Sequence, residues 1–234
     1  MVSLTAEQQV SLPMLKVGWL HQTFVHWPYD PAAVQALLPS GLTVDTYDDA
    51  AWVSLTPFLM SRLRMPGLPA TALASFPETN LRTYVRLPDG RDALWFLSIE
   101  VSSAVMLTAH AIGVPYYVGD LSLHVGEDGT VAYAGTRRGG EPSYRLTVRP
   151  GTPIAAEERD LWLTSRWRAA TRRAGRLWEV PVDHEPWPLA TVGIEEFQQS
   201  LLRAAALPPA AGEPLAHFSE GVHRVRLGVP RRVR

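Results

Sequence analysis

Four polar residues recur at every second position between residues 78 and 84, namely Glu78, Asn80, Arg82 and Tyr84. If this stretch is a β-strand, all four side chains leave the same face, because side chains alternate along a strand. On an inward face, Glu78 would act as a general acid or base with a pKa raised by burial, and Arg82 would bind a carboxylate through two hydrogen bonds. On an outward face, Glu78 and Arg82 would form a weak, solvated ion pair.

Three further residues are candidates for the same interior. Tyr116 and Tyr117 occupy opposite faces of a predicted strand, and Tyr116 is the candidate donor to a ligand carbonyl or oxyanion, unless its hydroxyl only serves the core. His110 follows an apolar helical stripe and is either a ligand-binding or a hydrogen-bonded core residue. His184 precedes a proline-stiffened segment, Glu185 to Pro188, and is either presented at a pocket mouth or anchors a loop.

Several common kinds of site have no signature in the sequence. The chain has no cysteine, which excludes disulfides and thiolate chemistry. Its seven histidines show no short metal-ligand spacing, and there is no phosphate-binding loop, dinucleotide fingerprint or Gly-x-Ser-x-Gly elbow. We therefore expect no metal and no cofactor, although a metal site assembled from distant strands stays open.

Charge and hydropathy bear on partners and location. The net charge of −1 gives no general attraction to nucleic acid or to anionic membranes. An arginine- and tryptophan-rich segment from Leu161 to Trp178 is interpreted as a solvated, ion-paired face, with a partner-binding interface as the alternative. The sequence shows neither a signal peptide nor an apolar run long enough for a membrane span, so we expect a cytoplasmic protein that binds no nucleic acid and no membrane. The oligomeric state stays open.

The elements that would position these residues are mostly short strands. A hairpin is predicted from Thr79–Leu87 and Arg91–Val101 around Pro88-Asp89-Gly90, and a second from Leu215–Phe218 and Val222–Leu227. Helices are predicted from Pro31 to Leu38, from Ser102 or Ser103 to Gly113, from Glu157 to Ser165 and from Ile194 to Ala206. With no break in composition, we expect a single domain over residues 1–234, with a core of about residues 15–229, built on a closed or sandwiched antiparallel sheet.

Several segments together resemble the YqjF-like family of bacterial proteins of unknown function, within the acetoacetate-decarboxylase-like superfamily. They are LLPSGLTVDTYDDAAWVSLTPFLM, FPETNLRTYV, WFLSIEVSS, the step from Val114 to Tyr116, LTSRWR, HEPWPL and HFSEGV, in that order. The resemblance implies a mainly β fold with a few helices: a strongly curved antiparallel β-barrel, or cone, with a central pocket.

One departure from the superfamily pattern bears on chemistry. Acetoacetate decarboxylases carry Gly-x-Pro-Lys-Lys where this chain has Gly113-Val114-Pro115-Tyr116-Tyr117, and Glu78 is similar in placement to their acidic residue. Decarboxylation through an imine needs a primary amine, and the only lysine here is Lys16, on another predicted strand. The family pattern often has arginine at the position of His110. Imine chemistry is therefore not expected.

Three functions remain in view. The first is a small-molecule binding protein for an organic acid, with Glu78, Arg82 and Tyr116 lining a barrel pocket. The second is an enzyme that uses acid–base chemistry without an imine on a small keto or hydroxy acid, with Glu78 as acid or base and Tyr116 as the oxyanion partner. The third is a structural module that binds a partner through the segment from Leu161 to Trp178.

Overall fold

The computed structural model describes residues 3–64, 75–104, 106 and 113–233. Within these ranges the chain is built mainly from strands with three short helices. The strands are β1 (Leu15–Tyr29), β2 (Thr43–Val44), β3 (Thr46–Tyr47), β4 (Ala50–Arg64), β5 (Phe76–Arg86), β6 (Asp92–Val101), β7 (Tyr116–Val125), β8 (Val131–Arg137), β9 (Ser143–Pro153), β10 (Arg168–Arg173), β11 (Arg176–Asp183), β12 (Leu189–Gln199), β13 (Leu215–Leu227) and β14 (Arg231–Arg232). The helices are α1 (Pro31–Gln35), α2 (Glu158–Thr164) and α3 (Leu201–Ala204).

The strands close into a barrel. In the part of the chain that the structure describes, nine strands form a ring in the order β6-β7-β8-β9-β12-β13-β1-β4-β5, and β5 pairs back onto β6. All but one of these pairings are antiparallel, the exception being the parallel pair of β6 and β7. The predicted fold class, a mainly β, curved antiparallel barrel, is confirmed.

A second ring shares one wall with the first. Strands β10 and β11 form a bridge from β6 to β13, because β10 pairs with β6 and β11 pairs with β13. Among the described residues this closes a ring of seven strands: β13, β1, β4, β5, β6, β10 and β11. The five strands common to both rings therefore have an interior on each of their faces.

Strand β5 shows the consequence of this arrangement. Its even-numbered residues from Glu78 to Tyr84 are buried, and so are the intervening Thr79, Leu81 and Thr83. Leu81 packs into the apolar core of the nine-stranded ring, together with side chains from β1, β4, β8, β9 and β13. Because β5 is buried on both faces, its Leu81 face packs into the apolar core, and its other face carries polar residues that are not exposed to bulk solvent.

The hairpin predicted around Pro88-Asp89-Gly90 joins β5 and β6 as expected. Asp30 caps α1, where its carboxylate accepts a hydrogen bond from the backbone N–H of Ala32 at 2.6 Å. The helix predicted from Ser102 or Ser103 to Gly113 lies largely outside the described residues. No helix in the described ranges is long and apolar enough to cross a membrane.

The helix predicted from Ile194 to Ala206 is wrong. Residues Leu189–Gln199 form β12, and the helix is confined to α3. The pairing of β12 with β9 shifts register between Ile194 and Glu196, so that Ile194 and Phe197, three residues apart, both pack against the core. A bulge therefore gave a strand the apolar spacing that is typical of a helix.

The hairpin predicted near the C-terminus is also wrong. The segment Leu215–Leu227 is one continuous strand and not a hairpin. Gly221, expected in the turn, has a φ of +126°, and a Cβ there would lie 2.2 Å from the carbonyl oxygen of Trp19, so the glycine permits close approach to β1. Near the C-terminus, Arg231 and Arg232 pair with β11 as β14.

Candidate functional site

A cavity of about 400 Å³ lies within the seven-stranded ring. Each of the seven strands contributes side chains to its wall, and further side chains come from the end of α2, from Tyr116 of β7 and from the segment after β11. Most of the lining is apolar, and three of its polar members, Glu78, Asn80 and Arg82, follow one another on β5. This enclosed space is where the side chains predicted from the sequence come together.

Glu78, Asn80 and Arg82 all line the cavity, and Tyr84 is fully buried behind them. Glu78 and Arg82 are only 4% and 8% exposed, so the outward, solvated arrangement of these residues is wrong. The alternation of β5 places the four side chains on one face, because only Leu97 on the partner strand interrupts the register. The spacing predicted a shared face and left its direction open, and the structure shows that this face points into the cavity.

The Glu78 carboxyl group is held in its neutral form. Burial raises its pKa to about 8, and a hydrogen bond from the Asn80 side chain opposes that shift only in part. Within the described residues, Glu78 Oε2 and Asn80 Oδ1 are buried without a hydrogen-bond partner. Tyr116 lies close enough for the Glu78 charge to add to the effect of burial, and the two together raise the pKa of its phenol well above the usual range.

Arg82 is a buried cation, and no acidic side chain in the described part of the chain pairs with it. One of its terminal nitrogens, Nη2, donates to the carbonyl oxygen of Leu163 at 3.3 Å, and its guanidinium carbon lies 5.5 Å from the centre of the Phe24 ring. Its Nε has no hydrogen-bond partner among the described residues, and none of their carboxylates lies within 4.0 Å of its guanidinium. The cavity therefore has an uncompensated positive charge on one wall.

A chain of hydrogen bonds runs behind Arg82. The Tyr84 hydroxyl donates to the carbonyl oxygen of Leu163 at 2.6 Å, so it accepts from Ser54 Oγ at 2.7 Å, and Ser54 in turn accepts from His26 Nδ1 at 2.6 Å. His26 Nε2 is thus the unprotonated nitrogen, and it has no partner in the described part of the chain. This chain fixes Leu163, the residue that also holds Arg82.

Two other arginines on the wall are neutralised. Arg166 contacts Asp45 and Asp92, both at 3.3 Å, and its guanidinium lies 4.4 Å from the Trp162 ring. Arg168 contacts Glu7 at 2.6 Å and Asp92 at 2.9 Å. Arg166 and Arg168 are buried together with Trp162 and Trp167, so the interpretation of this segment as a solvated face is wrong for its first half. Its second half, with Arg172, Arg173 and Arg176, is exposed.

His184 lies on the cavity wall among three indole rings. Its Nδ1 lies 2.6 Å from the carbonyl oxygen of Glu185, so Nδ1 carries the proton, and its ring centre is 5.7, 4.6 and 5.0 Å from those of Trp19, Trp167 and Trp187. Burial lowers its pKa, which keeps the ring neutral. His184 thus both lines the cavity and anchors the segment that follows it.

Of the remaining candidates, Tyr116 lines the cavity, whereas Tyr117 is 39% exposed with the Arg137 guanidinium 3.6 Å from its ring. His110 lies outside the described residues. Lys16 is exposed on β1. Among the residues that are described, no group of three or more histidine, aspartate or glutamate side chains is arranged to hold a metal ion.

Among the wall residues that were not predicted from the sequence are Trp19, Trp187, Arg166 and Arg168. Trp187 belongs to the proline-stiffened segment after His184, and this position next to a candidate residue was the one sequence feature that could have predicted it. Trp19 was hidden because β1 shifts register against both of its neighbours, which disturbs the alternation. The arginines looked like surface residues because their acidic partners are distant in sequence.

Several proteins of known structure are similar to this chain over nearly its whole length. An acetoacetate decarboxylase-like enzyme from Sphingomonas wittichii RW1 superposes with a TM-score of 0.67 at 20% identity, covering 97% of this chain and 96% of that chain. The enduracididine biosynthesis enzyme MppR, in complex with pyruvate, superposes with a TM-score of 0.65 at 18% identity, covering 97% and 93%. These likenesses show that the fold is acetoacetate decarboxylase-like.

Sequence comparison identifies the family. The uncharacterized protein YqjF of Bacillus subtilis (strain 168) is 31% identical over 225 residues, which is 92% of each chain. The profile of a family described as an uncharacterized conserved protein, DUF2071, matches residues 16–223. The resemblance expected from the sequence segments is confirmed, and the chain belongs to the DUF2071 family.

Proposed function

We propose that this protein binds an organic acid in the cavity of the seven-stranded ring, with the ligand carboxylate against Arg82. The observation that carries the proposal is the buried guanidinium of Arg82, with its unpartnered Nε and no acidic group within 4.0 Å among the described residues. The Nε atoms of Arg166 and Arg168 also have no hydrogen-bond partner among the described residues, but both guanidinium groups contact carboxylates, so their charge is already neutralised without a ligand.

The energetic argument rests on the cost of burying charge. A cation removed from water without a counterion is unfavourable, and a carboxylate can return much of that free energy through charge-assisted hydrogen bonds. The planar guanidinium matches a carboxylate with two parallel N–H···O contacts. Since Nη2 is already directed to Leu163, the remaining donors of Arg82 are the ones available to a ligand.

Two further features support an acidic ligand. Glu78 is neutral at pH 7, so it does not repel a carboxylate in the same cavity. A structural neighbour, MppR, was solved with pyruvate, which is itself a carboxylate. Imine formation is not part of the proposal, because the only lysine of the chain is exposed on β1.

Isothermal titration calorimetry of the purified protein with a panel of carboxylic and 2-oxo acids tests this proposal. Arg82→Met keeps the side-chain volume and removes the charge, and we expect it to lose at least tenfold in affinity for any acid that binds. Arg145→Met is the matched control, since Arg145 is 64% exposed on β9 and does not line the cavity. Equal affinity in the Arg82→Met and unmodified proteins would disprove the role of Arg82.

A second candidate function is proton transfer at a carbon next to a carbonyl group. Glu78 favours it, because a buried carboxyl group with a pKa of about 8 exchanges protons readily near neutral pH, and its Oε2 has no partner in the described residues. Tyr116, close by on the same wall, is placed to donate a hydrogen bond to the enolate oxygen that such a step creates.

Exchange of carbon-bound hydrogen for deuterium tests this second function. Oxo acids whose carbonyl group lies several carbons from the carboxylate, and therefore nearer to Glu78, are incubated with the protein in D2O, and loss of the proton signal next to the carbonyl is followed by NMR. Glu78→Gln should abolish protein-dependent exchange while keeping ligand affinity, whereas Glu196→Gln, an exposed glutamate on β12, should leave it unchanged. Exchange at the same rate in Glu78→Gln would remove the catalytic role.

A further inference from the structure

The cavity lining is polar near Arg82 and becomes less polar along the length of the cavity. The strand register sets this order: on β4, Ser54 lies opposite Arg82 of β5, Phe58 opposite Glu78 and Met60 opposite Phe76. Arg82 follows Glu78 by four positions along β5, so their Cα atoms are about 13 Å apart. The polar chain of Ser54 and Tyr84 lies at the Arg82 end, so polarity falls along β4 and β5 away from it.

The opposite end of the cavity is apolar. Its lining side chains belong to one hydrophobic cluster, which includes Trp19, Phe58, Met60, Leu63, Val182 and Leu227. Trp19 lies beside Met60 in the pairing of β1 with β4, and Val182 lies beside Leu227 in the pairing of β11 with β13. We call these six residues the apolar end.

The cavity volume is larger than the volume that a short carboxylic acid occupies. At about 30 Å³ for each water-sized group, 400 Å³ has room for about thirteen such groups. A three-carbon oxo acid has about half that number of non-hydrogen atoms and would leave the apolar end empty. Binding pockets of this size bury most of a ligand that fills them, and apolar walls favour apolar ligand surface.

On the basis of the proposed function, we infer that the ligand is an amphipathic carboxylic acid of roughly ten to thirteen non-hydrogen atoms. Its carboxylate lies against Arg82, and its alkyl or aryl tail extends past Glu78 to the apolar end. Trp19 and Trp187, stacked 6.1 Å apart with 12° between their planes, present flat surfaces on the tail side. An aryl tail would add ring contacts there that an alkyl tail lacks.

Calorimetric titration with butanoate, hexanoate, octanoate and 3-phenylpropanoate tests the tail. Each methylene that enters an apolar site is expected to tighten binding about fourfold, so octanoate should bind roughly 250-fold more tightly than butanoate. A comparison of octanoate with 3-phenylpropanoate distinguishes the alkyl from the aryl tail. A dissociation constant that is the same for all four acids, or that rises with tail length, would overturn the inference.

Filling the apolar end provides the matched variant. Val182→Phe places a ring in that end and should weaken octanoate at least tenfold while leaving butanoate unchanged. Val125→Phe is its control, because Val125 is 44% exposed on β7 and does not line the cavity. Leu63→Phe reaches the same end from β4 and replaces Val182→Phe if that variant does not fold.

The same titrations separate this inference from the proposed function. Short and long acids that bind with equal affinity, in a manner that Arg82→Met abolishes, would overturn the tail and keep the organic-acid site. Acids whose affinity does not depend on Arg82, or no binding by any acid in the panel, would overturn the organic-acid site itself, and the tail with it.

Discussion

Glu78 and Arg82 lie on the same face of β5 and line the same cavity, yet they do not form an ion pair. Their separation along the strand is about 13 Å, and the register of β5 with β6 shifts between Leu81 and Arg82. Burial therefore keeps the Glu78 carboxyl group neutral, and among the described residues no acidic group pairs with the Arg82 guanidinium. Burying these two groups apart from each other lowers the free energy of unfolding, and it places a positive charge at a fixed position on the cavity wall.

The first prediction concerns the stability cost of Glu78. A group whose pKa is raised on folding from 4.5 to about 8 costs nothing below pH 4.5, and its cost grows until pH 8 because only the unfolded state ionises in that interval. Glu78→Gln, which is neutral at every pH, should therefore be more stable than the unmodified protein by roughly 3 kcal/mol at pH 7. Urea denaturation between pH 4.5 and 8.5 measures the difference, and Glu196→Gln is the exposed control. A difference that does not change with pH would contradict the raised pKa.

The second prediction is a loss of ligand affinity in alkaline solution. Above pH 8 the Glu78 carboxylate becomes charged and repels the bound acid, while burial keeps Tyr116 protonated. Over about 10 Å at an effective dielectric constant of about 20, that repulsion weakens binding roughly tenfold. Calorimetry with octanoate at pH 7 and pH 9 should show the loss in the unmodified protein and not in Glu78→Gln. An equal loss in both proteins would assign the effect to another group.

The third prediction concerns acid destabilisation. Burial lowers the pKa of His26, His184 and His217, so each binds a proton more readily when unfolded. Their contribution to stability is complete above pH 6.5 and is lost as the pH falls below it, and for His26, whose pKa lies well below 6.5, the loss at pH 5.5 is on the order of 1 kcal/mol. Denaturation at pH 5.5 and 7.5 should show a smaller loss for His26→Gln than for the unmodified protein. His124→Gln, at a residue that is exposed on β7, should lose as much as the unmodified protein does.

The sequence predicted the parts of this site that depend on local spacing. The alternation from Glu78 to Tyr84 and the hairpin at Pro88-Asp89-Gly90 set the polar face and its partner strand, and both are observed. The family resemblance supplied the barrel, which alternation alone left open between a barrel and a sandwich. Local periodicity was sufficient wherever a strand kept its register.

The remaining parts depend on contacts between distant residues. Arg166 and Arg168 are buried because Asp45, Asp92 and Glu7 lie beside them, up to 161 positions away in the sequence. The bulge in β12 moved Phe197 onto the face of Ile194 and gave the strand a helical pattern. Neither feature has a signature in the local sequence, because each depends on the strands and side chains that the fold brings next to it.

The last prediction tests the segment that leads into β7 and Tyr116. Gly113 has a φ of +84°, and a Cβ there would lie 2.2 Å from the carbonyl oxygen of Arg172 on β10. Gly113→Ala therefore combines left-handed backbone strain with a clash against backbone, and we expect a loss of about 3 kcal/mol or more in the free energy of unfolding. Gly129→Ala has a similar φ of +80° with no atom within 4 Å, so its cost is the strain alone, about 1 kcal/mol. Chemical denaturation compares the two variants, and equal losses would show that β10 does not pack against Gly113 as closely as the structure has it.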